Sequence, residues 1–110
     1  MASTKPDLLQ GTLDLLILRA LAAGPLHGWA IGKRIQQMSR EVLTTTQGSL
    51  YPALYRLEDR GWISGAESLS EEGRRIKVYR LTTAGRRQMA DQIESWRIFA
   101  MAMNHVIAAE

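Results

Sequence analysis

The sequence predicts a mainly α-helical α+β fold with one small β-hairpin, and two observations predict it. Between residues 12 and 61, apolar residues recur three and four positions apart in three helix-length segments, whereas residues 62–81 change to strand-like alternation. Beyond Gly85, an apolar pattern at helical spacing continues almost to the C-terminus. Three short helices and a hairpin indicate a winged helix-turn-helix, so we expect that domain in residues 1–82 and a dimerisation helix in residues 83–110.

The first two helices are bounded by sequence signals. Helix one is expected to begin with Thr12 as its N-cap and to stop at the Gly24-Pro25 pair. Helix two is expected over residues 27–39, with apolar positions on one face and lysine and glutamines on the other. Residues 1–7 are polar and are expected to be loose.

Helix three is predicted by TQGSLYPALYRLEDRG, residues 46–61, with Gly61 as its C-terminal stop. The proline inside it leaves two alternatives for where the helix begins. If Ser49 is the N-cap, Pro52 is the third helical residue, where its missing N–H has no intrahelical acceptor to lose. If the helix starts after Thr46, Pro52 removes one hydrogen bond and bends the first turn.

A β-hairpin follows helix three. One strand is expected over residues 62–68 and the other around residues 76–81, with Ser70–Gly73 as the turn. Net charge is +3, and the segment from Arg74 to Arg87 contains six basic residues and no acidic one. A basic block on a small domain indicates a polyanion partner, and its alternative is an ordinary solvated surface.

The last helix carries a seam of apolar residues with spacings of four, three, four, three and four. Its members are Met89, Ile93, Trp96, Ala100, Met103 and Ile107. The helix should have about 25 residues and a length of roughly 35–40 Å. A domain of this size cannot bury the whole seam by itself, so the seam predicts a homodimer interface.

The second helix of a helix-turn-helix enters the major groove of double-stranded DNA, and here that is helix three. Its candidate DNA contacts are Gln47, Ser49, Tyr51, Pro52, Tyr55 and Arg56. The candidate contacts from the hairpin are Arg74, Arg75 and Lys77. For each tyrosine the alternative is half-burial against the hairpin, and for each hairpin cation it is a solvated charge.

Three segments resemble the signatures of the PadR family of transcriptional regulators: PLHGWAIGKRI (25–35), GSLYPALYRLEDRGWI (48–63) and GRRIKVYRLTTAGRR (73–87). The resemblance runs from about residue 8 to residue 107. It implies a winged helix-turn-helix, a two-fold dimer made by the C-terminal helix, and binding to palindromic promoter DNA, usually as a repressor. The single C-terminal helix resembles that of the smaller members.

The resemblance places individual residues as well. Tyr51, Pro52 and Tyr55 fall at the tyrosine-rich positions of the recognition helix. The cations Arg74, Arg75 and Lys77 fall on the basic wing. One departure is the acidic tip, where Glu71 and Glu72 would be repelled by phosphate, so the tip is expected to point away from DNA.

Ligand-responsive members of the family bind small aromatic or hydrophobic molecules between their C-terminal helices. Trp96 resembles a position that lines this space, and the alternative is that Trp96 belongs only to the dimer core. The chain has two histidines and no cysteine, so we expect no metal site and no cofactor. No motif arranges a nucleophile with a base, so we expect no enzyme.

Two further expectations concern location and a rival function. The longest apolar run is too short to span a bilayer and no signal peptide is evident, so a cytoplasmic protein without a membrane partner is expected. The rival is a winged-helix module that dimerises and docks on another protein without reading DNA. Polar and aromatic residues on helix three, together with a basic hairpin, favour DNA, because a docking groove would expose more aliphatic surface.

Overall fold

The computed structural model describes residues 11–109, and within them the chain forms four helices and a three-stranded antiparallel sheet. In chain order the elements are α1 (Thr12–Leu21), β1 (Leu26–His27), α2 (Gly28–Met38), α3 (Gln47–Asp59), β2 (Ile63–Leu69), β3 (Arg75–Leu81) and α4 (Thr83–Ala108). This is the predicted α+β winged helix-turn-helix with a long C-terminal helix. The loose segment expected at residues 1–7 lies outside the described residues.

One apolar core joins the three short helices to the sheet. Its members are Ile17, Leu18, Ala20, Leu21, Ile31, Ile35, Leu50, Ala53, Leu54, Leu57, Ile63 and Tyr79. The stripe of α3, spaced three and four residues apart, supplies four of these side chains. Burial of this stripe fixes which side of α3 faces outward.

Two helix starts differ from the sequence-based expectations. Thr12 is the first residue of α1 rather than its N-cap, because Gly11 caps the helix with a left-handed backbone at φ 89°. In α3 the N-cap is Thr46, whose side chain accepts a 3.2 Å hydrogen bond from the Ser49 backbone N–H. The second alternative for Pro52 therefore holds. It is the sixth helical residue, so one intrahelical hydrogen bond is missing early in α3.

The sheet contains a strand that the sequence analysis missed. Its order is β1-β3-β2, and the two-residue β1 pairs antiparallel with β3, Leu26 opposite Tyr79. The hairpin of β2 and β3 pairs from Ile63–Leu81 to Leu69–Arg75, as predicted, and its turn lies between Ser70 and Arg74. A central β3 buries Tyr79 and holds the hairpin on the helices.

The 26-residue α4 begins at Thr83 under the cap of Thr82, whose side chain accepts a 3.0 Å hydrogen bond from the Gly85 N–H. Gly85 is buried, and a Cβ there would collide with the backbone carbonyl of Trp62. A glycine at this position therefore lets the start of α4 pack directly on the chain that enters β2. Helix α4 packs on α1, with Met89 against the core, whereas most of its apolar side chains from Trp96 onward are exposed.

Candidate nucleic-acid interface

The outward side of α3 presents polar and aromatic side chains to solvent. Tyr55 is the most prominent, with 66% of its surface exposed. Gln47, Ser49 and Pro52 are also exposed, and they lie on the first two turns of the helix. This end of α3 carries the unpaired backbone N–H groups and the positive end of the helix dipole, which favours phosphate.

Tyr51 does not share this exposure. It is half-buried against the core, and its ring lies so close to Gly28 of α2 that a Cβ there would be 2.8 Å from Tyr51 Cε1. Tyr51 is therefore half-buried, with its ring against α2, whereas the alternative placed it against the hairpin; Tyr55 is exposed, as predicted. A DNA contact by Tyr51 stays a prediction, and in this geometry only part of the ring could provide it.

Arg56 forms an ion pair that joins α3 to α1. Its guanidinium donates a 2.7 Å hydrogen bond to Asp14, and the Asp14 side chain is only 12% exposed. The Arg56 side chain is half exposed, and a guanidinium has five N–H donors, more than this hydrogen bond uses. The pair holds the recognition helix on the core, and a DNA contact by Arg56 stays a prediction.

Glu58 ties α3 to both strands of the hairpin. Its carboxylate accepts a 2.9 Å hydrogen bond from Lys77 Nζ on β3 and a 3.3 Å bond from the Gly65 N–H on β2. A side chain at position 65 would collide with the Lys77 stem, so Gly65 makes room for this contact. The hydrogen bond that Lys77 donates to Glu58 raises the pKa of Lys77 above its ordinary value.

Lys77 also connects the hairpin with the exposed tyrosine of α3. Its Nζ lies 5.9 Å from the centroid of the Tyr55 ring and 5.4 Å from that of Tyr79. Burial raises the pKa of the Tyr79 hydroxyl. Lys77 was predicted to contact phosphate, and the structure shows its charge engaged by Glu58, so that contact stays a prediction and requires sharing or exchange of the ion pair.

The hairpin end carries the remaining predicted cations. Arg74 and Arg75 are exposed, and Arg75 lies 4.0 Å from Glu67 in a pair whose side chains are 85% and 77% exposed. Such a pair is weak and leaves Arg75 available to another anion. Glu71 and Glu72 occupy the exposed turn between the strands. These two cations therefore lie at the turn end of β3, next to the acidic residues of the turn.

Helix α4 divides the predicted seam between two environments. Met89 packs against the core of its own chain, and Ile93 and Ala100 are half-buried. Farther along, apolar side chains are uncovered on the seam and beside it. They are Trp96, Phe99, Met103, Val106 and Ile107, with Ile98 and Met101 on the other side of the helix. An exposed apolar surface of this kind marks an interaction site.

A hollow of about 350 Å³ lies between the start of α1 and this part of α4. Leu15, Trp96 and Phe99 provide its apolar walls, and the Trp96 and Phe99 ring centroids are 6.0 Å apart. Gln92 also lines it, and within the described residues its buried Oε1 accepts no hydrogen bond. The hollow is thus bordered mainly by apolar and aromatic side chains.

Residues 17–91 match the Transcriptional regulator PadR-like family. The chain belongs to this family. The resemblance seen in the sequence is thereby confirmed, and because the family consists of transcriptional regulators, this PadR-like chain is not an enzyme.

Two relatives show how much of the PadR-like chain is shared. It is 37% identical over 83 residues to the transcriptional regulator Rv3488 of Mycobacterium tuberculosis, covering 74% of this chain and 73% of that protein. It is 43% identical over 82 residues to an uncharacterized 37.1 kDa protein in transposon TN4556 of Streptomyces fradiae. That match covers 74% of this chain but spans only 22% of the length of the transposon protein.

Solved structures share the fold. A PadR family transcription regulator from Clostridium difficile R20291 superposes with a TM-score of 0.76 at 30% identity, covering 89% of this chain and all of that one. Bacillus subtilis PadR in complex with operator DNA superposes with a TM-score of 0.67 at 26% identity, covering 74% of this chain and 46% of that one.

One exposed group in this PadR-like chain was not predicted from the sequence. Trp29 on α2 is 58% exposed, stacks on His27 and lies under the Lys33 ammonium. The available signal was its position four residues before Lys33, which puts both on one side of α2. Within residues 11–109, no cluster of three or more His, Cys, Asp or Glu side chains could hold a metal ion, and no helix has the length and apolarity needed to cross a bilayer.

Proposed function

We propose that the chain is a sequence-specific DNA-binding regulator that binds palindromic promoter DNA as a homodimer and represses transcription. The observation that carries this proposal is the continuity of α3 with the hairpin. Exposed Tyr55 adjoins Lys77 of β3, and exposed Arg74 and Arg75 follow on the same strand end. Side chains that could contact base edges thus lie beside cations that could bind phosphates. Recognition of a DNA sequence requires both kinds of contact.

The Bacillus subtilis protein that superposes on this chain was solved with operator DNA, which supports a DNA target for the shared winged helix. In a helix-turn-helix, the N-terminal residues of the recognition helix approach the bases. Here Gln47 and Ser49 would occupy that place, with Tyr55 farther along α3 and with Arg74 and Arg75 on the flanking phosphates. The cytoplasmic location expected from the sequence stays a prediction.

The uncovered second half of α4 supports the homodimer. A helix of 26 residues is about 39 Å long, and most of its apolar side chains from Trp96 onward are exposed. Trp96, Met103 and Ile107 would pair with the same residues of a second copy across a two-fold axis. Two recognition helices related by that axis read two half-sites about 34 Å apart, which makes the target a palindrome.

The hollow beside Trp96 supports a small aromatic or hydrophobic effector that releases DNA. Its aromatic walls suit a flat apolar molecule. The other occupant would be the second copy itself, because Trp96 belongs to both surfaces. A ligand would act only if it binds the released state better than the DNA-bound state.

The deciding experiment is fluorescence anisotropy with labelled DNA from upstream of the chain's own gene, against a scrambled duplex of equal length. We expect tighter binding to the upstream DNA, and an affinity that falls about 10³-fold or more between 50 and 200 mM salt if the dimer contacts at least six phosphates. A reporter fused to that promoter then tests repression. Small aromatic compounds can be screened for release of the labelled DNA.

Weak and equal binding to both duplexes, with little salt dependence, would contradict the proposal. It would favour the rival protein-docking module, whose apolar contacts respond little to salt. The exposed apolar residues of α4 would then form the docking surface, and they would be available to a partner other than a second copy.

A further inference from the structure

A groove beside α3 contains an aromatic and a cationic side chain that have no role in the DNA contacts proposed above. It lies between α2 and the start of α3 and has a volume of about 220 Å³. Trp29, Lys33 and Gln36 line it from α2, and Thr46 and Gln47 line it from the start of α3. Gln47 also belongs to the predicted DNA contacts, so the groove is continuous with the face that would read bases.

Trp29 is held in place although it is exposed. Its ring stacks on His27, with centroids 6.1 Å apart and planes inclined by 22°. The Lys33 ammonium also lies 5.5 Å from the ring centroid. An exposed tryptophan held by two neighbours presents a fixed apolar surface at little entropic cost on binding.

The charge of the groove favours an anion. Lys33 contributes a full positive charge, and within residues 11–109 it forms no ion pair. The lining residues include no acid. The nearest carboxylate bound to a lining residue is Glu41, which accepts a 2.9 Å hydrogen bond from Gln36 at the C-terminal end of α2, away from Trp29.

The fold fixes how deep the groove is. A Cβ at Gly32 would lie 2.9 Å from Thr45 Oγ1, so α2 and the segment before α3 approach closely at the floor. Leu50 and Tyr51 close the inner side. The opening therefore accommodates a small flat or branched group beside a cation, with hydroxyl and amide groups from Thr46 and Gln47 at its edge.

We infer that this groove binds one sugar-phosphate unit of the DNA strand that flanks the major groove occupied by α3. Lys33 binds the phosphate, and Trp29 packs against the deoxyribose. The inference rests on the proposed function, because it assigns a further part of the same DNA-binding face. It adds a contact from α2 to the DNA backbone to those made by the hairpin. Each protomer would therefore contact the DNA backbone on both sides of the recognition helix.

The test compares the salt dependence of variants on the upstream and scrambled duplexes. Lys33→Gln should weaken binding to both by a similar factor, about five- to tenfold near 0.1 M salt, and reduce the slope of log affinity against log salt by about 1 per protomer. Trp29→Ala should weaken both without changing the slope. Lys33→Arg should restore the slope, and Arg19→Gln, an exposed cation on α1 outside the groove, should leave it unchanged.

A second measurement identifies the phosphate. Single neutral methylphosphonate linkages are placed one at a time along the upstream duplex. At one position per half-site, the linkage should lower the DNA affinity of the wild type but leave that of Lys33→Gln unchanged. The inference would be overturned if log affinity against log salt had the same slope in Lys33→Gln as in the wild type. It would also be overturned if every neutral linkage lowered the affinity of both proteins equally. Absence of salt-steep binding by the wild type would instead overturn the proposed function, so the two failures are distinguishable.

Discussion

Lys77 Nζ on β3 donates a 2.9 Å hydrogen bond to Glu58 on α3, and the same carboxylate accepts the Gly65 N–H of β2. One side chain of the recognition helix thereby holds both strands of the hairpin. The lysine and glutamate side chains are 39% and 29% exposed, so water screens the pair only in part. This contact sets the angle between the helix that would read bases and the strands that would hold phosphates.

The first prediction is a measurable coupling between these two residues. Glu58→Ala and Lys77→Ala should each destabilise the protein, and their double-mutant cycle should give a coupling of about 0.5–1 kcal/mol in urea unfolding. The exposed pair of Glu67 and Arg75, 4.0 Å apart, is the matched control and should show no measurable coupling. Additive effects of Glu58 and Lys77 would mean that the contact does not stabilise the hairpin.

The same site predicts a loss of stability at alkaline pH. The folded state raises the pKa of Lys77 above 10.5, through its hydrogen bond to Glu58, and that of Tyr79 above 10.0, through burial. The folded state therefore holds these protons more tightly than the unfolded state. The stability that the protonated Lys77 and Tyr79 side chains contribute is complete below about pH 10. It is lost as the pH rises through their raised pKa values.

Thermal unfolding midpoints measured between about pH 8 and 11 test this dependence. The midpoint should fall above about pH 10, and the fall should be smaller in Lys77→Met, which keeps only the contribution of Tyr79. An identical pH profile in wild type and Lys77→Met would show that the lysine does not titrate with folding.

Gly85 provides a prediction about packing. Gly85→Ala should cost about 1–3 kcal/mol, because the new methyl group meets the Trp62 carbonyl and α4 must shift away from β2. Gly48→Ala is a suitable control, since that helical glycine has its nearest atom, Thr46 Oγ1, at 3.8 Å. It should be neutral or stabilise by up to about 1 kcal/mol. Equal effects in chemical denaturation would contradict the close approach at Gly85.

Features that depend on local sequence were predictable, whereas features that depend on tertiary contacts were not. The spacing of Leu50, Leu54 and Leu57 predicted α3 and its buried side, because helical period is a local property. The strand β1 was missed since two residues carry no pattern and form a strand only by pairing with β3. The start of α3 was left open because Thr46 and Ser49 are both good caps.

The candidate site shows the same division. Exposure of Tyr55 followed from its place opposite the apolar stripe, and the structure agrees. The partners of Arg56 and Lys77 did not follow, because Asp14 is 42 residues away in sequence and Glu58 is 19. Which cations are free for phosphate thus depends on tertiary contacts that sequence spacing does not encode.

Tyr55 provides a prediction about specificity. Tyr55→Ala should reduce affinity for the upstream duplex by about fivefold or more while changing affinity for the scrambled duplex little, since base contacts carry sequence information. Stability should be preserved, because the side chain is 66% exposed. Tyr55→Phe separates the hydroxyl from the ring. Unchanged discrimination by Tyr55→Ala in anisotropy would remove this residue from base reading.

The last prediction concerns the uncovered half of α4. Met103→Glu places a charge on the apolar side that holds Trp96. It should convert the proposed homodimer to monomers in sedimentation velocity and abolish high-affinity binding to the upstream duplex. Because Met103 is 44% exposed in the single chain, the variant should keep its helical circular dichroism. His105→Glu, two residues away and nearly opposite on the helix, is the control and should remain dimeric. If His105→Glu dissociates while Met103→Glu stays dimeric, the interface lies on the side of Ile98 and Met101, and the two recognition helices must then be spaced differently.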